Sequence, residues 1–331
     1  MYLLAADIGG TKTRLAIYPY GGDPHEPLQV LTFSSRIYSS FEAIIREVLH
    51  RVDQPIRAIS VGVAGPIIDG RVDVTNLPWE LDPAVMEDTF EFDRVILLND
   101  LVAVANAVPI LKSEDLLVLN PGEAAREGAL AVIAPGTGLG EAYLTWDGQQ
   151  YRAHPSEGGH VDFAPTNQDD QELLRFMRTR YEHVSYERLC SGLGMPNIYD
   201  YLAQTGRYEE PEWLRRQILE ADDPAPVISR AALRDQNPSE LCRATLRKFV
   251  SILGAEAGNL ALKVLATGGV YVGGGIPPKI QPFLTDGEFV RAFSRKGRFY
   301  EHLREIPIYL VRNENSALMG AANFGLNGLE N

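Results

Sequence analysis

Apolar and polar positions at the start of the chain predict two strands joined by a tight turn. Residues 2–8 (YLLAADI) are nearly all apolar, which is typical of a buried strand. Residues 12–18 (KTRLAIY) alternate polar and apolar positions, and this period near two favours a half-exposed strand. The glycines between the two runs predict a turn.

The same kind of pattern predicts an alternation of helices and strands further along. Residues 21–27 are dense in turn residues, and residues 56–67 predict a strand that ends in Gly-Pro. Over residues 39–52, with Ser39 or Ser40 as N-cap, one helical face collects the apolar side chains Phe41, Ile44, Ile45, Val48 and Leu49. Later predictions are a strand–turn–strand unit over 128–148, a long helix over 240–264, a strand and glycine turn over 268–279, and a helix over 315–326 capped by Asn315 or Ser316. Strands interspersed with amphipathic helices indicate an α/β fold.

One supersecondary unit occurs twice in this pattern. The segments AADIGGTKTRLAIY and AVIAPGTGLGEAYLTW both join an apolar run to a strand-like segment through a glycine turn. Their starts are separated by roughly one domain length. A duplication of this kind predicts two α/β domains.

Composition and charge exclude several classes of protein. The chain has 331 residues, a net charge of −13 and two cysteines, Cys190 and Cys242. The acidic balance argues against a general nucleic-acid or membrane-surface binder. Two cysteines make neither a disulfide framework nor a CxxC zinc site. With no run of membrane-spanning length and no secretory signal pattern, we expect a cytoplasmic protein.

Three glycine clusters each follow a predicted strand. Glycine lets the backbone turn sharply and approach a ligand, and successive N–H groups can then hold an anion. The pattern is neither the P-loop GxxxxGK[ST] nor the dinucleotide GxGxxG, and no GxSxG nucleophile elbow occurs. The clusters are Asp7-Ile8-Gly9-Gly10-Thr11, Gly136-Thr137-Gly138-Leu139-Gly140 and Gly273-Gly274-Gly275-Ile276.

Carboxylates stand at two of the strand ends. Asp7 is either a turn-stabilising group or a partner of Mg²⁺, which keeps part of its hydration shell and is therefore expected to bind through water. Asn99 and Asp100 follow the apolar run 95–98 and precede an alanine-rich helical pattern. They are either helix caps or, for Asp100, a catalytic base at the carboxyl end of a strand.

Several polar residues of the loops are candidates for a polyhydroxyl ligand. Glu157 and His160 flank two glycines, which favours a loop over a metal-binding helix. Glu187 precedes a helical pattern. It is either a ligand-binding residue or a glutamate in the first turn of the helix, stabilised by the helix dipole. Asn76 lies in a polar-aromatic loop with Trp79. Together with Asn99 and Asp100, these residues supply a pocket for a polyhydroxyl ligand if they converge.

The order and spacing of the motifs resemble bacterial glucokinases of the hexokinase–actin–Hsp70 ATPase superfamily. The resemblance extends over nearly the whole chain. It rests on the segments DIGGTKTRLA (7–16), TNLPW (75–79), LLNDLVAVA (97–105), APGTGLGEA (134–142), EGGHVDFAP (157–165), ERLCSGLG (187–194) and GGVYVGGGI (268–276).

This resemblance implies the fold and the partners. We expect two actin-like, ribonuclease H-like α/β domains with an interdomain cleft where glucose and ATP meet. The small domain comprises residues 1–110 and 311–331, and the large domain residues 111–310. ATP and Mg²⁺ are the implied cofactors, glucose is the substrate, and related glucokinases are often homodimers. Neither nucleic acid nor membrane is an expected partner.

The resemblance also implies residue roles. Asp100 matches the general base for the sugar 6-hydroxyl. The positions that hydrogen-bond the sugar match Asn99, Glu157, His160 and Glu187, to which the loop analysis adds Asn76. The two phosphate loops match Asp7 to Thr11 with the adjacent Lys12, and Gly136 to Gly140. Gly274, Gly275 and Ile276 match the adenosine site.

Two departures and several alternatives accompany these expectations. Pro135 removes a backbone donor just before the second phosphate loop, and Lys12 stands where some relatives have asparagine. The cysteine-rich zinc motif of the related ROK family is missing. The alternatives are a kinase for mannose, fructose or an N-acetylated hexosamine, a non-catalytic sugar sensor, and a polymerising ATPase. A strand that starts near residue 3 leaves no N-terminal room for the DNA-binding module of a sensor.

Overall fold

The computed structural model describes residues 1–65 and 67–329. Its strands, numbered along the chain, are β1 (Tyr2–Ile8), β2 (Lys12–Pro19), β3 (Gln29–Ser34), β4 (Ile56–Val63), β5 (Val72–Asp73), β6 (Glu80–Leu81), β7 (Arg94–Asn99), β8 (Leu116–Asn120), β9 (Leu130–Pro135), β10 (Leu139–Trp146), β11 (Tyr151–Ser156), β12 (Gly269–Val272) and β13 (Ile308–Val311). The α-helices are α1 (Phe41–Arg51), α2 (Pro83–Phe90), α3 (Asp100–Ala107), α4 (Gln168–Met177), α5 (Met195–Gln204), α6 (Glu212–Glu220), α7 (Ala225–Ala232), α8 (Glu240–Val264), α9 (Gln281–Leu284), α10 (Glu288–Ser294), α11 (Tyr300–Glu305) and α12 (Ser316–Leu329). Short 3-10 helices cover Ser35–Ile37, Val108–Ile110, Ser113–Asp115, Gly158–His160, Pro277–Ile280 and Gly297–Phe299.

The chain divides into two compact units. The first comprises residues 1–112, 147–155 and 313–331, and the second residues 113–146 and 156–312. The sequence prediction assigned residues 147–155 to the large domain, whereas the structure groups them with the first unit. Ala153 explains this grouping, because it packs against a cluster formed by Leu98, Val102 and other small side chains of that unit. Pro66 and residues 330–331, which the sequence analysis included in a strand end and in the small domain, lie outside the described residues.

A five-stranded sheet forms the centre of the first unit, in the order β3-β2-β1-β4-β7. Strand β1 is antiparallel to β2 and parallel to β4, and β4 is parallel to β7. Four consecutive residues of β2, Leu15 to Tyr18, are buried. Leu15 and Ile17 pack in one cluster with α1, and Ala16 and Tyr18 pack in another with α12. The prediction of a half-exposed second strand is therefore wrong, because both faces of the sheet are covered.

Helix α1 follows the predicted pattern closely. Ser40 is its N-cap, and the side chain accepts a hydrogen bond from the N–H of Ala43. The predicted apolar face is buried from Phe41 to Val48, and Leu49 is partly buried. The hydrophobic stripe and the serine cap together account for where this helix begins and which face it buries.

The second unit repeats the sheet of the first and extends it by one strand. Its order is β11-β10-β9-β12-β13-β8. Strands β9 and β10 are antiparallel, whereas β12 is parallel to both β9 and β13. The pairs β10–β9, β9–β12 and β12–β13 repeat the antiparallel, parallel, parallel order of β2–β1, β1–β4 and β4–β7. The predicted duplication of the strand–turn–strand unit is confirmed, and the two neighbouring parallel pairs are repeated with it.

Helix α8 dominates the helical part of the second unit. It covers residues Glu240–Val264, as predicted, and Ser239 accepts a hydrogen bond from the N–H of Cys242 at its start. Its apolar positions join one large core with α5, α7 and α10. Both cysteines are buried free thiols. In the described ranges, no helix combines the length and apolar character that crossing a lipid bilayer requires.

Candidate active site

The first glycine loop lies between β1 and β2 and is held by one serine. Gly9 N–H donates to Lys12 O at 3.0 Å, and Ser35 N–H donates to Thr11 O at 3.0 Å. The buried Ser35 hydroxyl donates to Gly9 O at 2.7 Å and lies 3.0 Å from Thr13 Oγ1. Among the described residues, the N–H groups of Gly10 and Thr11 donate to no protein acceptor. They are therefore available to an anion.

Two residues of the predicted first loop differ in what they can contribute. Ile8 is 1% exposed and packs in the apolar core, so only its backbone can face a ligand. Lys12 is exposed at the start of β2. The sequence prediction of Ile8 as a binding residue thus applies to its peptide group alone.

Asp7 and Asp100 lie at the same edge of the first sheet. Asp7 is in register with Gly62 of β4, and Gly62 is in register with Leu98 of β7. Burial raises the pKa of Asp7 to about 6; Arg14 opposes this shift, and the charge of Asp100 adds to it. The two carboxyl groups therefore influence each other, which makes this edge of the sheet a favourable place for a cation.

At the junction from β7 to α3, one residue caps the helix and the next places a carboxylate at its first turn. Asn99 Oδ1 accepts the N–H of Leu101 at 3.0 Å, and Asp100 Oδ1 accepts the same N–H at 2.8 Å. The Asn99 amide also donates to Gly65 O at 3.3 Å. Asn99 is therefore the N-cap of α3, as one of the two sequence interpretations proposed. Asp100, half-buried in the first turn, has its position fixed by the same helix start.

Asn76 lies beside the first glycine loop. It has a left-handed backbone, with φ of 66°, and its Cβ is 3.6 Å from the place a Cβ would occupy on Gly10. Its neighbour Trp79 is 2% exposed, packs against Phe41, and donates from Nε1 to Tyr38 O. Trp79 therefore belongs to the core, whereas Asn76 belongs to the group around the loop.

The second glycine loop lies between β9 and β10 in the second unit. Gly136 N–H donates to Gly138 O at 2.8 Å, and Gly136 O accepts the N–H of Gly192 at 2.8 Å. Pro135 offers no N–H, and its carbonyl accepts the N–H of Ile276 at 3.3 Å. In the part of the chain described, the N–H groups of Thr137 and Gly138 have no protein acceptor. Two donors thus remain for an anion despite the proline.

Glu187 connects this loop with the predicted sugar-binding residues. Its Oε2 accepts the N–H of Leu139 at 2.9 Å, and its own N–H donates to Gly159 O at 2.9 Å. A Cβ on Gly138 would be only 2.4 Å from Glu187 Oε2, so the loop approaches this carboxylate closely. Helix α5 begins at Met195, so the interpretation of Glu187 as a first-turn glutamate is wrong.

Glu157, His160 and Glu187 converge. His160 Nδ1 is 3.8 Å from Glu187 Oε1, and His160 Nε2 is 3.8 Å from Glu157 Oε2. Residues Gly158–His160 form a single 3-10 turn, which agrees with the predicted loop. The side chains of Glu157 and His160 are 85% and 58% exposed. An imidazole between two carboxylates offers several acceptors and a donor to the hydroxyls of a sugar.

A cavity of about 700 Å³ opens beside the second glycine loop. Gly274 precedes the lining residue Gly275; with φ of 86° and a Cβ position 2.5 Å from Pro135 O, it leaves no room for a larger residue. The lining residues are Gly136, Thr137, Gly192, Leu193, Met195, Asp223, Ala225, Pro226, Ser229, Arg230, Leu233, Gly275, Ile276 and Lys279. The second and third predicted glycine clusters therefore border one cavity.

Sequence reasoning missed two kinds of residue. Ser35, which holds the first loop, lies in a short 3-10 helix far from any motif. The cavity wall from α7, including Ser229, carries only an ordinary helical pattern. Neither group has a local signal, because both act through contacts that only the folded chain creates.

The repeated sheet and its glycine loops define the class of protein as an actin-like ATPase fold. A family model described as Glucokinase matches residues 4–327, and the chain belongs to the glucokinase family.

Known glucokinases are similar to this chain along almost its whole length. A glucokinase from Nostoc sp. is 36% identical over 336 residues, which cover 97% of each chain. A glucokinase from Erwinia tasmaniensis is also 36% identical, over 97% of this chain and 95% of its own. A solved glucokinase structure from an Antarctic psychrotroph is 33% identical, with a TM-score of 0.83 over 98% of this chain and 99% of its own. The chain is thus an enzyme that phosphorylates D-glucose at the 6-hydroxyl with ATP, giving glucose 6-phosphate and ADP, as in glycolysis.

Proposed function

We propose that Asp100 is the general base of this glucokinase. The observation that carries the proposal is its fixed position at the start of α3, on the sheet edge that also bears Asp7 and the first glycine loop. Asp100 accepts the proton of the sugar 6-hydroxyl while that oxygen attacks the γ-phosphorus. The bond between the γ-phosphorus and the bridging oxygen then breaks, and ADP leaves with the electron pair.

We infer that carboxylates, an imidazole and amides hydrogen-bond the sugar hydroxyls. In the second unit, Glu157, His160 and Glu187 accept and donate hydrogen bonds to hydroxyls; their mutual approach supports this role. In the first unit, Asn76 and Asn99 supply amides. A carboxylate that binds a hydroxyl contributes more than a neutral acceptor, because charge-assisted hydrogen bonds are stronger.

ATP is held mainly by backbone N–H groups in this proposal. The free donors of Gly10, Thr11, Thr137 and Gly138 bind phosphate oxygens, and Lys12 adds a positive charge. The adenosine occupies the cavity bordered by Gly275, Ile276 and α7. A cavity of this size with a partly apolar wall suits a nucleoside.

Filling the cavity is expected to weaken ATP binding selectively. Ser229 lines it from α7, and its hydroxyl donates to Ala225 O at 2.9 Å. We expect Ser229→Phe to raise the KM for ATP at least about tenfold, a loss of about 1.4 kcal/mol, with an unchanged KM for glucose. Steady-state ADP release measures both constants. Ser229→Ala keeps the cavity open and is the matched control; an ordinary KM for ATP in the phenylalanine variant would locate the adenosine elsewhere.

We propose Asp7 as the residue that holds Mg²⁺ through water. The fit rests on its half-buried carboxylate beside Asp100 and the first phosphate loop, since Mg²⁺ is bound by one or two carboxylates together with substrate phosphates. The ion supplies neutralisation of the phosphate charge. Asp7 would orient its hydration shell, and because burial raises the pKa of Asp7 to about 6, the carboxyl group is half protonated at that pH and fully ionised only well above it.

Asp7→Asn is expected to raise the Mg²⁺ concentration for half-maximal turnover about 10- to 100-fold, as for other groups that bind a metal through water. In the unaltered enzyme that concentration rises as pH falls through about 6, because Asp7 gains a proton; in the variant this step is absent. Titrating Mg²⁺ at constant ATP, at pH 5.5 and 7.5, measures both effects. Asp53→Asn, an exposed aspartate of the same unit, should behave as the parent. An unaltered Mg²⁺ requirement in Asp7→Asn speaks against the assignment.

We further propose a cytoplasmic homodimer, on the basis of the likeness to bacterial glucokinases. The direct measurement of the dimer is molecular mass by light scattering, against 36.6 kDa for one chain. A monomeric mass at micromolar concentration contradicts it.

A further inference from the structure

A buried pair of glutamates lies directly behind the loop that carries Glu157 and His160. Glu141, on β10, is 1% exposed, and Glu256, in α8, is fully buried. A Cβ on Gly158 would be 1.8 Å from Glu141 Oε2, so the Gly158 backbone rests against this carboxyl group. Neither oxygen of Glu141 finds a hydrogen-bond donor among the described residues.

Glu256 links the two buried glutamates to the segment that carries Glu187. Its Oε2 accepts a hydrogen bond from the Asn259 amide at 2.8 Å, and the same amide donates to Tyr186 Oη at 3.0 Å. Tyr186 immediately precedes Glu187. The Gly158 backbone and the Tyr186 side chain therefore contact one buried polar network from two sides.

Two carboxyl groups can hydrogen-bond to each other only if one of them holds a proton. Burial raises the pKa of Glu141 to about 8, and the neighbouring Glu256 adds to the shift, while Lys263 opposes it. Glu256 already accepts from Asn259 and lies 3.4 Å from Lys263 Nζ, whereas Glu141 has no donor among the described residues. Glu141 is thus the partner that holds the proton at neutral pH.

We propose that Glu141 is a positioning residue: its protonated carboxyl donates to Glu256 and supports the Glu157–His160 loop in the conformation that binds glucose. This inference rests on the proposed sugar-binding roles of Glu157, His160 and Glu187. Loss of the proton places two negative charges side by side in the interior. The carboxylate then repels Glu256, and Gly158 loses its support.

The other titratable groups around the pair are few and identifiable. Lys263 shares α8 with Glu256, and Lys296 follows α10 and donates to Asn259 Oδ1. Tyr186 and Cys190 come from the segment before α5; the pKa of each is raised by burial and by Glu256, and that of Cys190 also by Glu141. All of these groups remain in a Glu141 variant. A pH dependence of the KM for glucose that the parent shows and the variant lacks therefore comes from Glu141.

The test compares the KM for glucose at pH 7, 8 and 9 in the parent enzyme and in Glu141→Gln. If only the protonated form binds well, the parent KM rises about tenfold between pH 7 and 9. Glu141→Gln is the neutral isostere, so its KM should stay within about twofold of the parent at pH 7 and remain constant to pH 9. A constant KM in the parent, or an equal rise in the glutamine variant, overturns the proposal.

Two further variants separate this inference from the proposed function. Glu157→Ala should raise the KM for glucose at every pH; if it does not, the sugar-binding assignment itself fails. Glu141→Ala removes the support and should raise the KM for glucose at pH 7, while kcat changes little. If Glu141→Ala does not fold, the pH comparison with Glu141→Gln still decides.

Discussion

Asp100→Asn is expected to lower kcat about 10²- to 10⁴-fold, the range that general-base catalysis contributes. Asparagine has nearly the same shape, and its Oδ1 can still accept the N–H of Leu101, while Asn99 continues to cap α3. The fold and the sugar contacts therefore remain. What disappears is the ability to take the proton of the 6-hydroxyl. Coupled ADP release measures kcat, and calorimetry measures the dissociation constant for glucose, which should change by no more than a few-fold.

Asp88→Asn is the matched control for this experiment. Asp88 is an exposed aspartate of α2 in the same unit, and its replacement should leave kcat unchanged. Parent-like turnover in Asp100→Asn rules out the base. A large loss of glucose affinity with an unchanged kcat would instead make Asp100 a binding residue only.

Sequence patterns predicted the elements whose signal is local. The serine cap and the apolar stripe of α1 depend on a few adjacent positions, and so does the extent of α8. The repeated strand, glycine turn and strand were also predicted, and both occur as antiparallel pairs in the structure. The burial of β2 was misjudged, because the helix α12 that covers its second face lies about 300 residues further along the chain.

In the candidate site, too, local motifs were predicted, whereas contacts between distant parts of the chain were not. Motifs identified Glu157, His160 and Glu187, and the structure places the His160 ring 3.8 Å from a carboxylate oxygen of each glutamate. The groups that support them, Ser35 and the Glu141–Glu256 pair, have no motif. A buried carboxyl with a raised pKa is visible only once burial and neighbours are known, because the same residue in a surface strand would be an ordinary acid.

Glu187→Gln is expected to raise the KM for glucose about 10- to 100-fold, because a hydrogen bond to a charged group is worth about 1.5–3 kcal/mol. Glu187 has two functions in the structure, and this substitution separates them. The glutamine Oε1 can still accept the N–H of Leu139, which the carboxylate now accepts at 2.9 Å. The second phosphate loop therefore keeps its support, and the KM for ATP should change by less than about threefold.

Glu187→Ala removes both the sugar contact and the support of the second phosphate loop. The Leu139 N–H loses its acceptor beside Gly138, so we expect the KM for ATP to rise together with the KM for glucose. Glu182→Gln, an exposed glutamate five residues earlier in the chain, should match the parent in both constants. Initial rates over a grid of glucose and ATP concentrations measure all four enzymes. A parent-like KM for glucose in Glu187→Gln contradicts the sugar contact, whereas a parent-like KM for ATP in Glu187→Ala contradicts the link between the carboxylate and the phosphate loop.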